Sequence, residues 1–156
     1  MVATMTEMPR SGPDRTPRLT LDETKAFLAV EFPQMAHGGP TYVIEEVGYG
    51  TARLRLLVRD EHLRPGGTVS GPAMMALADI ALYVALLGAI GPVPLAVTTN
   101  FSINFLRRPE PRDVVAIVRY LKIGRSLAVG EAELRTGGGE EPVAHVVATY
   151  SIPPKG

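Results

Sequence analysis

Ala73 to Ile90 is an apolar run broken by Gly88 and by a single charge, the carboxylate of Asp79. On a helix its i±3 and i±4 neighbours are Met75, Ala76, Leu82 and Tyr83, which offer it no polar partner of consequence. Burying an ionised carboxylate alone costs several kcal/mol or drives it toward its neutral form. A carboxylate tuned in this way suits a general base or a nucleophile. The alternative is a structural Asp, bonded to a hydroxyl or a backbone group at a subunit interface.

A second feature lies at the start of the same helix. Gly67-Thr-Val-Ser-Gly71 brings small residues to its N-terminus. Free N–H groups and the positive end of the helix dipole gather there, and together they can hold a developing oxyanion. The plain alternative is an N-cap, with Ser70 as the capping residue. Gly71 and Asp79 are eight residues apart, which is about 12 Å along the axis. One carbonyl cannot touch both within one chain. If both act, two copies of the helix run antiparallel across a two-fold axis, as a cyclic dimer arranges.

The remaining sequence sets the frame for these residues. The chain has 156 residues, no cysteine, and 16 basic against 16 acidic side chains. That predicts one domain, with no disulfide, thiolate nucleophile or thiolate metal site. The charge balance points to neither nucleic acid nor an anionic membrane as partner. His37, His62 and His145 are too scattered for a zinc site. Met1 to Arg18 reads as a flexible tail without a signal-peptide core, leaving a domain over 19–156 and an expected cytoplasmic location. Ala73 to Ile90 nearly reaches membrane-spanning length, but Asp79 would be costly in lipid. A soluble-protein helix buried on all sides is the expectation.

Thr20-Leu-Asp-Glu23 is a capping box that opens a helix over about Leu21 to Phe32, with Leu21, Leu28 and Phe32 facing inward. Strands are expected at Tyr42 to Val47 and Thr51 to Arg59, where Leu54 and Leu56 alternate with Arg53 and Arg55. Asp60 to Val69 reads as a loop. Beyond the long helix come strands at Leu95 to Leu106, Asp113 to Leu121, Ser126 to Arg135 and Val143 to Ile152. In the first of these Val97, Thr99, Phe101, Ile103 and Phe105 share one face, and Thr98, Asn100, Ser102 and Asn104 the other. This order predicts an α+β fold with an antiparallel sheet around one helix.

Gly67-Thr-Val-Ser-Gly-Pro-Ala-Met-Met-Ala-Leu-Ala-Asp79 resembles the hotdog-fold acyl-CoA thioesterases of the phenylacetate-pathway (PaaI) type. Their pattern is N-x-x-G-x-x-H-G-G followed by a helix with L-x-D or L-x-E. Thr98-Thr-Asn-Phe-Ser-Ile-Asn-Phe-Leu-Arg107 with Pro111-Arg-Asp113 resembles the family's N-F-L-R-P and P-G-D segments. Lys122 to Leu127 and Ala144-His-Val-Val-Ala-Thr-Tyr150 resemble its last two strands. The likeness covers roughly residues 40–152.

The resemblance implies one long helix wrapped by a curved antiparallel sheet. It also implies a homodimer or dimer of dimers with sites at the subunit interface, and hydrolysis of acyl-CoA without metal or added cofactor. Asp79 falls on the family's catalytic carboxylate and Gly71 on the glycine whose N–H polarises the carbonyl. Thr98 falls on a hydroxyl that places water, and His62 on a histidine two residues before the family Asn. Arg64, Ser70 and Pro72 stand where the family has Asn, His and Gly. Ser70 can still bond near the carbonyl. Arg64 could bind an acyl carboxylate, point to solvent, or signal lost activity, so a noncatalytic acyl-CoA-binding module is the alternative function. A hotdog hydratase or dehydratase would want a His beside the acid. Gly67, Met75 and Tyr83, with Met74, are candidates to line the thioester and acyl group. Arg107, Arg108, Lys122 and Arg125 are candidates for the coenzyme A phosphates.

Overall fold

The structure, a computed structural model, describes residues 15–137 and 139–154. Most of the expected tail lies outside them. Its last residues are not loose: the Arg18 N–H donates to the Gly88 carbonyl at 2.8 Å, and the Arg15 guanidinium lies over the Tyr49 ring. Helix α1 (Leu21–Glu31) carries the capping box in full, with Thr20 and Glu23 exchanging side-chain-to-backbone bonds. Leu28 and Thr24 turn inward. Phe32 does not: it is the C-cap, off the helical path, and its half-exposed ring stands 6.3 Å from that of Tyr83.

Strands β1 (Tyr42–Gly48) and β2 (Thr51–Leu56) form the expected hairpin, with Leu54 and Leu56 fully buried. The segment expected as a loop instead forms a short ribbon, β3 (Leu63–Arg64) and β4 (Thr68–Val69), turned by Pro65-Gly66-Gly67. Helix α2 (Gly71–Ile90) follows, then β5 (Val97–Phe105), β6 (Val114–Ile123), β7 (Leu127–Thr136) and β8 (Ala144–Ser151). The six long strands form one antiparallel sheet in the order β1-β2-β6-β7-β8-β5. It wraps α2, which touches every one of them. This is the hotdog arrangement, so the fold read from the sequence holds.

Alternation explains the layering. Small and branched residues of β6, β7 and β8, such as Ala116, Ala132 and Ala148, face the helix and let it approach. The outer face carries Arg53, Arg55, Glu133 and Arg135 beside Val115 and Ile117, which stay buried although they point away from α2. Helix α2 has the length and hydropathy of a membrane span, yet 67% of its most apolar window is buried inside the molecule. It is not buried on all sides, as the sequence suggested. Leu82 to Ala89 are enclosed, but nearer the N-terminus Pro72, Met75 and Ala76 form an exposed stripe that Asp79 continues, partly buried.

The enclosed half of α2 meets the β1 end at Gly88. A Cβ there would overlap the Gly48 carbonyl oxygen and stand 3.0 Å from Val47 Cγ1. Backbone cannot yield as a side chain does. Gly88→Ala is expected to destabilise the fold by roughly 2–3 kcal/mol through overpacking, seen as a Tm lower by about 5–10 °C. An unchanged Tm in calorimetry would mean that α2 and β1 are not locked at this point.

Candidate functional site

Asp79 Oδ1 accepts two hydroxyl hydrogen bonds, from Thr98 Oγ1 at 2.5 Å and from the Tyr150 phenol at 2.5 Å. The same phenol oxygen is 2.6 Å from the Asp79 carbonyl. Among the described residues Oδ2 receives no protein donor and is left for chemistry. The carboxylate therefore has partners, but they come from β5 and β8 rather than from its own helix.

Thr98 reaches it because β5 is irregular. The register against β8 shifts between Thr98 and Asn100, a bulge at Thr99. Without it strict alternation sets Thr98 on the face opposite Phe101 and Ile103. With it Thr98 pairs Tyr150, Phe101 pairs Ala148 and Ile103 pairs Val146, all on the helix side. The expectation that Thr98 lies with Asn100, Ser102 and Asn104 is thus corrected by one extra residue.

Tyr150 is the residue that sequence reasoning missed. It ends the inward series Ala144, Val146, Ala148, Tyr150 of β8, and a buried phenol needs an acceptor. That pattern was the available signal. Burial, and next the negative charge of Asp79, push the Tyr150 hydroxyl far above the usual tyrosine range. Burial and Asp79 act in the same order on Tyr120, whose hydroxyl donates to the Leu82 carbonyl at 2.9 Å. Raised values keep both phenols neutral, so Tyr150 remains a donor at every pH where the protein would be assayed.

The helix start is a second centre. Ser70 is the N-cap, its Oγ accepting from the Ala73 N–H at 3.2 Å while the Ser70 carbonyl takes the Met74 N–H. Pro72 has no N–H. Gly71 therefore holds the one N–H of this first turn without an acceptor among the described residues. The Ser70 N–H donates to the His62 carbonyl at 2.8 Å, and His62 Nδ1 accepts from the Arg59 N–H at 2.9 Å. His62 thus braces the segment leading into α2. Gly71 lines a cavity of about 550 Å³ with Val69, Met74, Phe105, Arg64 and Arg108. Gly67 sits in the exposed β3–β4 turn beside it.

Other expected residues are dispersed. Met75 is exposed midway between Gly71 and Asp79 on α2. Tyr83 is one turn past Asp79, with its hydroxyl donating to the Pro94 carbonyl at 3.0 Å. Arg107 borders the cavity, but its guanidinium is held by Glu141 at 2.9 Å and the Pro142 carbonyl at 2.8 Å. Arg125 lies in the β6–β7 turn and Lys122 near the end of β6, at the sheet end where β5 starts but across β8 from it, while Arg107 follows the other end of β5. One chain cannot bring Arg125 and Arg107 to one ligand. None of the three histidines is hydrogen-bonded to Asp79. Among the described residues no group of three or more His, Asp or Glu could hold a metal ion.

The description Thioesterase superfamily matches residues 66–143, from the β3–β4 turn through α2 and β5 to the approach to β8. A protein of Silicibacter sp. TM1040 designated a thioesterase is 47% identical, with a TM-score of 0.79 over 88% of this chain and 94% of that one. The phenylacetic acid degradation protein PaaI of Thermus thermophilus, solved as a point mutant, is 26% identical, with a TM-score of 0.67 over 78% and 99%. Zebra fish Thioesterase Superfamily Member 2 shares the fold at 21% identity and a TM-score of 0.75, over 86% and 99%. An uncharacterized protein of Mycobacterium tuberculosis is 34% identical over 94 residues, 60% of this chain and 31% of its own. The chain thus spans about a third of the length of the curated relatives it matches. Matched by the family across half of its length, in the segment that carries Gly71, Asp79 and Thr98, this chain belongs to the Thioesterase superfamily.

Proposed function

We propose that the protein hydrolyses an acyl-CoA thioester in a site shared by two copies of the chain, as a cytoplasmic enzyme. The observation that carries this reading is the Asp79 carboxylate, fixed through Oδ1 by Thr98 and Tyr150, with Oδ2 unpartnered among the described residues. The reaction class follows from family membership, and the designations of similar structures support it. Coenzyme A enters as part of the substrate, and the reading calls for no cofactor.

The shared site follows from spacing. Asp79 bonds the start of β5 through Thr98, whereas Gly71 abuts its end, a Cβ on Gly71 standing 3.1 Å from Phe105 Cζ. β5 is an edge strand, and Leu95, Val97, Phe105 and Leu106 along it are exposed. Such an edge offers unpaired backbone groups and apolar surface to a second strand. Antiparallel pairing of β5 with its copy, about an axis near Phe101 and Ser102, sets Thr98 of one chain opposite Phe105 of the other. Asp79 then faces Gly71 of the partner subunit across the exposed stripe of α2. The same pairing carries the β6–β7 turn with Arg125 toward Arg107 of the partner subunit.

In this arrangement the Gly71 N–H, at the positive end of α2, polarises the thioester carbonyl. Asp79 Oδ2 takes a proton from water as the water oxygen attacks the carbonyl carbon. The tetrahedral intermediate collapses with cleavage of the C–S bond, and the thiolate recovers the proton from Asp79. The products are a carboxylic acid and coenzyme A. Attack by Oδ2 itself, through an anhydride that water then opens, uses the same atoms and gives the same products. Ser70, as N-cap, holds the loop that presents Gly71.

Asp79→Asn keeps the hydrogen-bonding shape but loses the base. It is expected to lower kcat by about 10²–10⁴-fold, measured as coenzyme A release across an acyl-CoA panel. Undiminished release would reject Asp79 as the catalytic group. Tight binding without turnover by the native chain would favour the noncatalytic module.

Tyr150→Phe tests the positioning of the carboxylate. Loss of one of the two donors that fix Oδ1 is expected to lower kcat by about tenfold or more with KM little changed, since the carboxylate would no longer be held in one orientation. An unchanged kcat beside a lowered Tm would mean that Tyr150 only fills space.

A further inference from the structure

The arginines of the sheet are matched to carboxylates: Arg53 and Arg55 to Glu45, Arg119 to Glu131, Arg135 to Glu133. Arg64 and Arg108 are not. Among the described residues neither guanidinium meets an acid or a hydrogen-bond acceptor, although they come from separate segments, β3 and the stretch after β5. Both border the cavity at the start of α2, and Arg108 Nη2 stands 3.9 Å from where a Cβ on Gly66 would lie. With 16 basic and 16 acidic side chains in all, this is a local excess of positive charge and not a property of the whole surface. Apolar residues share the lining, with Val69 and Met74 buried and Phe105 half-exposed, and Gly71 lies among them, while both arginines are exposed.

We propose that Arg64 and Arg108 receive a carboxylate at the far end of the acyl group, so that the substrate class is the thioester of a short dicarboxylic acid. The inference rests on the reading above, in which the thioester carbonyl sits at the Gly71 N–H. Guanidinium forks suit a carboxylate, and an apolar lining suits the methylenes between two carbonyl carbons. Distance selects this anion over the phosphates of coenzyme A. The diphosphate lies roughly 16 Å from the thioester sulfur along an extended pantetheine arm. Arg64 and Arg108 line the same cavity as Gly71, close to where the thioester carbonyl would sit. An acyl carboxylate four or five bonds from the carbonyl lies about 5–6 Å away, within the neighbourhood of Gly71.

The test measures binding to Asp79→Asn protein, in which turnover is suppressed, by titration calorimetry. The ligands are glutaryl-CoA and adipyl-CoA against pentanoyl-CoA and hexanoyl-CoA. At least about tenfold tighter binding of the dicarboxylic members is expected. Adding Arg64→Met or Arg108→Met is expected to carry that ratio toward one. Equal affinity for charged and neutral acyl groups would overturn the proposal. So would arginine variants that weaken all four ligands alike, since the guanidiniums would then meet carrier phosphates or the thioester oxygen. A retained preference beside a native protein that releases no coenzyme A would uphold acyl recognition and reject hydrolysis, so the two readings fail separately.

Discussion

One ionised side chain on an apolar helix has to be reconciled with its surroundings, and two hydroxyls on a single oxygen do so. Thr98 and Tyr150 both donate to Asp79 Oδ1. Hydrogen bonds to the charged form offset the cost of partial burial. They also fix the rotamer and leave the second oxygen open. Each donor depends on a larger element. Thr98 is turned inward by the bulge of β5, and Tyr150 closes the inward row of β8. Neither would be in reach if α2 stood farther from the sheet, and the close approach is set by alanines and by Gly88 against Gly48.

Helix α2 is divided in its duties. From Leu82 to Ala89 it is sealed in the core and anchors the sheet. From Gly71 to Asp79 it presents Pro72, Met75 and Ala76 outward, between an N–H and a carboxylate oxygen that have no partner among the described residues. About 12 Å of helix separates these ends, too far for one carbonyl to bridge. Two copies antiparallel to one another resolve that distance twice, at two equivalent places. The proposed dimer is thus an answer to the chemistry, and the exposed apolar edge of β5 is the surface that fits it.

Much of this was legible in the residues. The capping box, the Leu54–Leu56 alternation, the Ser70 cap and both ends of α2 follow from local rules that tertiary packing did not overrule. Asp79 was legible because a charge within apolar sequence is conspicuous. Its partners were not. A bulge shifts alternation by one residue, and no composition signal marks it at Thr98-Thr99-Asn100. Phe32 fitted a helical face only if the helix ran one residue longer than it does. The β3–β4 ribbon was hidden because two-residue strands carry no periodicity. Residues near in space but distant along the chain, such as Arg64 with Arg108 and Arg125 apart from Arg107, needed the topology.

The central claim is that Asp79 of one chain works with Gly71 of its partner, and complementation tests it most directly. Gly71→Val would press on Phe105, half-exposed and able to give, and would cover the N–H. With Asp79→Asn it forms a pair of individually inactive proteins. Co-expressed in equal amounts, they place one intact site in each mixed dimer, and random pairing restores about a quarter of the native coenzyme A release. No recovery in mixed dimers that have been shown to form would contradict the shared site.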